Sequence, residues 1–213
     1  MYKSMFCTSY LFKMLLLANS NILVIGASGS GKTTTIMKIV REELISPMPK
    51  KIFYLYAAHQ PFMDTWNQEN KQKVEFVYGL KLDVIDGYKG PKLLILDDLM
   101  LELNKDMAQH FIAGSHHKQT TTIFVTHSVF LNNENYRLIS QNAQYMILFK
   151  NKRNLSQVNT LARQILGSDS GRLMEAYKYI GPFQSVLLSF HPRVPDDLLV
   201  TTDSFTPCPI VFL

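Results

Sequence analysis

The sequence predicts an α/β fold with a mostly parallel central sheet and helices on both faces. Three observations predict it. Short apolar runs bounded by Gly, Pro or polar residues recur along the chain, as strands buried on both faces require. Helical stretches separate these runs, which is the pattern of a parallel sheet. One run passes through a glycine-rich turn directly into a helix.

Asn21–Ile25 is the first of the buried strands, and Gly26 ends it. A helix is expected from about Lys32 to Glu43, after which Pro47 and Pro49 break the chain. Ile52–Tyr56 and the alternating Val74–Tyr78 read as strands. Gly87–Pro91 makes a turn, and Lys92–Leu96 is a further buried run. Glu102–Ile112 reads as a helix stopped by Gly114. Thr121–Thr126 is a β-branched strand, and Tyr145–Phe149 is another. Leu155–Leu166 is amphipathic, with Leu155, Val158, Leu161, Ala162, Ile165 and Leu166 on one face and Arg163 projecting away from it. A helix over Arg172–Tyr179 and a strand over Ser185–Phe190 complete the pattern. The expected organisation is an N-terminal segment (1–20), one domain (21–192) and a Pro-rich tail (193–213) that the pattern does not place.

Composition bounds the reading. The chain's 213 residues suffice for one α/β domain with a real core. Apolar residues make up 46% and charged residues 18%, so nothing is disordered by composition. The net charge of +5 suits a polyanion, though on charge alone a mildly basic surface is the plainer reading. Cys7 and Cys208 lie near opposite ends without metal-ligand spacing, which predicts two reduced thiols. The apolar stretch Met5–Leu17 is interrupted by Lys13. It is too short to span a bilayer and is expected to pack on the core, so no membrane association is expected.

Gly26-Ala27-Ser28-Gly29-Ser30-Gly31-Lys32-Thr33 fits G-x-x-x-x-G-K-T, with a strand leading in and a helix leading out. Small residues let backbone N–H groups wrap a β-phosphate, and the helix N-terminus adds a favourable dipole. Lys32 is expected to reach the β- and γ-phosphates, the Thr33 hydroxyl to ligate Mg²⁺, and Thr34 to complete the nucleotide-binding segment. The pattern therefore predicts a phosphate-loop NTPase of the RecA/ASCE type that binds ATP and Mg²⁺. Leu93–Leu96 followed by Asp97-Asp98 puts an acidic pair at a strand's C-terminal edge, where α/β sheets bind ligands. Asp97 is expected to hold Mg²⁺, directly or through water, and Asp98 to polarise the attacking water. Thr126 and His127 end the next strand, where a γ-phosphate sensor would stand. Arg153 and Arg163 are candidates for an arginine finger supplied to a neighbouring subunit. Gly114–Lys118 contains adjacent histidines, but no carboxylate or thiol completes a zinc-type set, so an exposed loop or helix end is preferred.

In these motifs and their order the sequence resembles the viral genome-packaging ATPases of the FtsK-HerA superfamily, and among them those of Polinton/Maverick elements, adintoviruses and related large DNA viruses. The resemblance spans roughly residues 20 to 190. Beyond the phosphate loop it rests on Phe53-Tyr54-Leu55-Tyr56 with Gln60-Pro61, Phe76-Val77-Tyr78-Gly79-Leu80 and Leu94-Ile95-Leu96-Asp97-Asp98-Leu99-Met100. It continues through Gly114-Ser115-His116-His117, Phe149-Lys150-Asn151-Lys152-Arg153 and Leu161-Ala162-Arg163-Gln164. Asp97-Asp98 stands where the superfamily commonly has Asp-Glu, and Thr126-His127-Ser128 where the nearer family has Thr-Gln-Asn. The resemblance implies an ATPase that forms a homo-oligomeric ring, contacts the double-stranded DNA backbone and drives viral DNA into a preformed capsid. It also implies a capsid or portal partner. The implied setting is intracellular, in the nucleus or a cytoplasmic viral factory of an infected or element-bearing cell, with the virion as a further location. Two other readings stay open: another phosphate-loop ATPase acting on DNA, such as a helicase-like enzyme, and a non-hydrolysing nucleotide-binding assembly factor.

Overall fold

The apolar runs of the sequence are strands of one sheet, with their side chains divided between two buried layers. The computed structural model describes residues 3–4 and 15–213, and for residues 3–4 and 114–117 the backbone alone. In chain order the elements are β1 (Lys3–Ser4), β2 (Leu16–Leu17), β3 (Asn21–Ile25), α1 (Lys32–Arg41), β4 (Ile45–Ser46), β5 (Lys51–Tyr56), α2 (Phe62–Glu69), β6 (Val74–Tyr78) and α3 (Leu82–Asp86). There follow β7 (Lys92–Asp97), α4 (Lys105–His117), β8 (Thr120–Thr126), α5 (Glu134–Gln141), β9 (Tyr145–Phe149), α6 (Leu155–Leu166), α7 (Gly171–Tyr179), β10 (Ser185–Ser189), β11 (Val200–Thr202) and β12 (Ile210–Phe212).

Ten strands form the main sheet in the order β1-β12-β11-β10-β9-β3-β8-β7-β5-β6. From β9 to β6 all pairings are parallel, and from β10 outwards all are antiparallel. β3 therefore lies inside the parallel part, flanked by β8 and β9, with β7 one strand further on. The turn after β3 opens at the sheet's C-terminal edge, beside the ends of β7 and β8.

Strand alternation sorts the core into two layers. On one face Ile22, Val24, Tyr54, Ile95, Ile123, Val125 and Ile147 pack against Ile36, Met37, Ile39 and Val40 of α1. On the other face Leu23, Ile25, Leu94, Leu96, Phe124 and Leu148 pack against residues of α4, α5, α6 and α7, among them Met107, Phe111, Tyr136, Leu161 and Tyr177. Asp97 continues the α1-facing row of β7, so its carboxylate is delivered to the face that carries the glycine-rich turn.

Three differences from the sequence expectation have physical reasons. The helix expected over Glu102–Ile112 runs instead from Lys105 to His117. Met100–Glu102 forms a 3₁₀ turn, and the Asn104 side chain accepts from Met107 N at 2.9 Å to start the helix. Gly114 does not stop it, because one interior glycine costs a helix only about 1 kcal/mol. Helices α2, α3 and α5 are absent from the sequence expectation: their buried residues are only Met63 and Trp66, Ile85, and Tyr136 and Ile139, too few for a visible period. Lastly, residues beyond Pro192 contribute β11 and β12, which extend the sheet past β10.

Within Met5–Leu17, residues 5–14 lie outside the described ones. Leu16–Leu17 form β2, which pairs with β4 in a separate two-stranded sheet. No helix among the described residues is long and apolar enough to cross a membrane.

Candidate nucleotide-binding site

The turn from β3 to α1 has the geometry its sequence dictates. Gly26 sits where no side chain fits: a Cβ there would lie 2.6 Å from Ser30 Oγ and 2.7 Å from Phe149 Cβ. Gly31 has φ +101°, a conformation that L side chains rarely adopt. The loop between them folds over the end of β9, and α1 begins at Lys32 with its first N–H groups free of intrahelical partners.

Lys32 is buried, and its ammonium donates to Gly26 O at 2.8 Å and Ala27 O at 3.0 Å. Burial pushes its pKa below the ordinary lysine value, while the charges of Asp98 and Asp97 pull it upwards. Ser30 Oγ is buried without a hydrogen-bond partner, a polar atom left over inside the loop. Thr33 and Thr34 line a cavity of about 600 Å³ between α1 and α2, shared with Gln60, Phe62 and Trp66.

Asp97 is 3% exposed and is the most enclosed acid of the site. Its Oδ2 accepts from Tyr54 Oη at 2.6 Å and from Gln60 Nε2 at 3.0 Å. The Tyr54 ring is fixed by Phe62 and Phe76, whose centroids lie 5.9 and 5.5 Å away. Burial drives the Asp97 pKa above the usual carboxylate value and Asp98 adds to the rise; the Tyr54 hydrogen bond, Lys32 and Gln60 oppose it. Burial and the same carboxylate also push the Tyr54 hydroxyl far above its ordinary value.

Asp98 follows at φ +57°, a left-handed conformation uncommon outside glycine, and its side chain is exposed. The twist turns its carboxylate off the β7 axis and towards the end of β8. There His127 Nε2 lies 2.9 Å from Asp98 Oδ1, and Nδ1 lies 3.1 Å from Gly26 O and 3.4 Å from Lys32 Nζ. Nε2 thus faces a carboxylate acceptor, while Nδ1 faces both a carbonyl acceptor and an ammonium donor. The two candidates at the end of β8 thus separate. His127 joins the loop and the acids. Thr126 is fully buried on the opposite face, with its hydroxyl 3.0 Å from Met100 Sδ. Tyr136 holds the following turn by donating to Ser128 O and Val129 O at 2.9 and 3.1 Å.

The structure therefore gathers Gly26, Ala27, Ser28, Gly29, Ser30, Gly31, Lys32, Thr33 and Thr34 with Asp97, Asp98 and His127 at one edge of the sheet. It does not bring Arg153 or Arg163 into that group. Both are exposed, and neither guanidinium makes a hydrogen bond or ion pair among the described residues. Arg153 stands in the turn after β9, next to Asn154, whose side chain donates to His127 O at 3.2 Å. The adjacent histidines His116 and His117 fall at the C-terminal end of α4.

Sequence reasoning gave no role to Tyr54 and Gln60. Tyr54 sits two residues before Tyr56, which pairs with Asp97 across β5 and β7, so strand register would have placed it on the acid's face. The local sequence carries no such signal for Gln60.

The donor set suits a divalent cation held mainly by its nucleotide. Asp97 and the Thr33 hydroxyl are hard oxygen ligands, and no group of three or more His, Cys, Asp or Glu among the described residues could hold a metal unaided. Magnesium sites of this class complete their octahedron with phosphate and water.

No family model matches the sequence, and no curated protein matches it. Solved structures do. The genome packaging NTPase B204 of Sulfolobus turreted icosahedral virus 2 in complex with AMPPCP superposes with a TM-score of 0.57 at 13% identity, covering 83% of this chain and 95% of that one. Its complex with ATP-gammaS gives 0.54 at 14% identity, over 82% and 94%. The DNA-packaging ATPase B204 of Sulfolobus Turreted Icosahedral Virus gives 0.55 at 13% identity, over 83% and 95%. At these identities the likeness concerns the fold, an α/β domain with a mostly parallel sheet, matched over almost the whole of the B204 chain.

Proposed function

We propose that this chain is an ATP-driven motor that packages double-stranded viral DNA. The observation that carries the proposal is the convergence of Lys32, Asp97, Asp98 and His127 on one strand edge beside the glycine-rich turn. The fold shared with the B204 packaging NTPases and the family-like segments from Gln60 to Gln164 support the choice of DNA packaging over other ATPase tasks.

The residues divide the work as follows. Backbone N–H groups of Ala27–Thr34 and the N-terminus of α1 bind the phosphates. The Lys32 ammonium leaves the carbonyls of Gly26 and Ala27 to pair with the β- and γ-phosphate oxygens. Thr33 and Asp97 would hold Mg²⁺, which would neutralise charge on the phosphates. Tyr54 and Gln60 fix the orientation of Asp97 through its Oδ2, leaving Oδ1 for the metal side. Asp98 accepts a proton from the water that attacks the γ-phosphorus. His127 stands between Asp98 and the loop, where its imidazole can give up the Asp98 hydrogen bond to donate to a γ-phosphate oxygen and so report whether that phosphate is present. An arginine of a neighbouring subunit, Arg153 or Arg163, completes the charge stabilisation in a ring assembly.

ATP hydrolysis measured with and without double-stranded DNA, together with particle mass, tests the proposal. DNA is expected to raise turnover in an oligomer, independently of sequence and more weakly as salt rises. An assembled protein that hydrolyses ATP with no response to DNA at low salt sinks the motor reading. Nucleotide binding without hydrolysis in any assembly state identifies an assembly factor instead.

A further inference from the structure

We infer that Phe183 is the platform on which the nucleobase of the bound triphosphate stacks. The inference rests on the phosphate-loop reading above and extends it to the other end of the nucleotide.

Sheet order gives the direction. The strands run β10-β9-β3-β8-β7, with the phosphate loop leaving β3. Asp97, Asp98 and His127 stand at the ends of β7 and β8, on one side of the loop. A triphosphate whose γ-phosphate points towards them carries its nucleoside away on the opposite side, over the ends of β9 and β10. The turn from α7 into β10, residues 181–184, lies there, because Ser185 pairs with Phe149 at the C-terminal end of β9. A Cβ built on Gly31 would lie 3.7 Å from both Cβ and Cδ1 of Phe183, so this aromatic side chain borders the loop directly.

The turn is built to present the ring. Gln184 N donates to Gly181 O at 3.3 Å, Pro182 occupies the second position, and Phe183 at the third has φ +62°. A turn of this kind normally puts Gly or Asn at its third position, and a bulky side chain there is an outlier. Local folding is therefore better served by another residue, and the ring is 73% exposed, so core packing does not account for it either. Strain of this kind tends to be kept at functional positions.

The turn is also braced. The Gln184 side chain accepts from Gly181 N at 2.6 Å and donates to Asp203 Oδ1 at 3.3 Å. The preceding helix is tied to the end of β9 by Tyr177, whose hydroxyl donates to Phe149 O at 3.2 Å and accepts from Asn151 N at 2.8 Å, and by Lys150, which donates to Tyr177 O at 2.5 Å. An exposed ring on a fixed support beside a phosphate cradle has the form of a stacking surface. Every base offers a π-face, so such a surface binds bases without reading their edges.

Nucleotide binding to the wild type, Phe183→Leu, Phe183→Trp and Lys32→Ala proteins, measured with ATP, GTP and inorganic tripolyphosphate, tests the inference. Phe183→Leu is expected to weaken ATP and GTP alike by about ten-fold while leaving tripolyphosphate affinity unchanged. Phe183→Trp should keep ATP affinity and show indole quenching with ATP but not with tripolyphosphate. Wild-type affinity of Phe183→Leu for ATP, or an equal loss for tripolyphosphate, overturns the platform. Tripolyphosphate affinity that survives Lys32→Ala undermines the phosphate-loop reading instead, so the two failures are distinct.

Discussion

His127 Nε2 lies 2.9 Å from Asp98 Oδ1, so the end of β8 and the acid following β7 form one hydrogen-bonded unit. The same imidazole reaches back to Gly26 O through Nδ1 at 3.1 Å. One ring thus touches the phosphate loop and the proposed base for water.

If that ring senses the γ-phosphate, His127→Ala lowers kcat by about 10²-fold while the Kd for ATP changes little, because the lost donor acts mainly on the transferring phosphate. His127→Gln, whose amide can still donate, should recover part of the rate. Steady-state hydrolysis beside equilibrium nucleotide titration separates the two quantities. Unchanged kcat in His127→Ala would remove the sensor assignment.

Asp97 bears on stability as well as on the proposed metal site. Burial raises its pKa above the ordinary 3.8, so the folded protein holds the proton more tightly than the unfolded chain. The stability linked to Asp97 is therefore complete below pH 3.8 and is lost as pH rises through the folded value. Asp97→Asn, which can still accept from Tyr54, should abolish Mg²⁺-dependent turnover. At neutral pH it should also raise the Tm of the nucleotide-free protein by about 2–4 °C. That advantage disappears in acid. Thermal melts of both proteins across pH check the sign, and a lower Tm for the variant at neutral pH would contradict it.

Gly26→Ala tests the close approach under the loop. The added methyl would meet Ser30 Oγ and Phe149 Cβ, and Phe149 is a buried strand residue with little freedom to withdraw. Overpacking of this kind costs about 1–3 kcal/mol. Denaturant unfolding should show that loss together with weaker ATP binding. Wild-type stability would mean that the β3–α1 turn is looser than its contacts indicate.

A trans-acting arginine predicts complementation. Arg163→Ala alone and Lys32→Ala alone should each lose about 10³-fold in turnover, and mixed subunits should regain part of it where an intact Lys32 meets an intact Arg163. Full activity of Arg163→Ala passes the role to Arg153, for which the same mixture is diagnostic.

Most of the candidate site was legible because its residues are local in sequence. The glycine-rich turn needs its residues at fixed spacing, and the acidic pair directly follows an apolar strand, so Gly26–Thr33 and Asp97-Asp98 announce themselves. The central strands were legible for a related reason: burial on both faces leaves continuous apolar runs such as Leu93–Leu96. What the sequence hid depends on contacts between distant segments. Tyr54 and Gln60 reach Asp97 only through the pairing of β5 with β7. The roles of Thr126 and His127 were separable only once the two faces of β8 were assigned. The strands of the tail are short, and Val200–Thr202 gains its burial from β10, more than ten residues away in the chain.

The hydrogen bond from Thr126 to Met100 on the far face of the sheet has a mechanical consequence. It clamps the end of β8 to the turn that follows Asp98, while His127 clamps the same two strand ends on the nucleotide side. The two strand ends are thus tied together on both faces of the sheet. Under the proposed function, a γ-phosphate that displaced one end would displace the other, and through Met100 the displacement would reach the segment leading to α4.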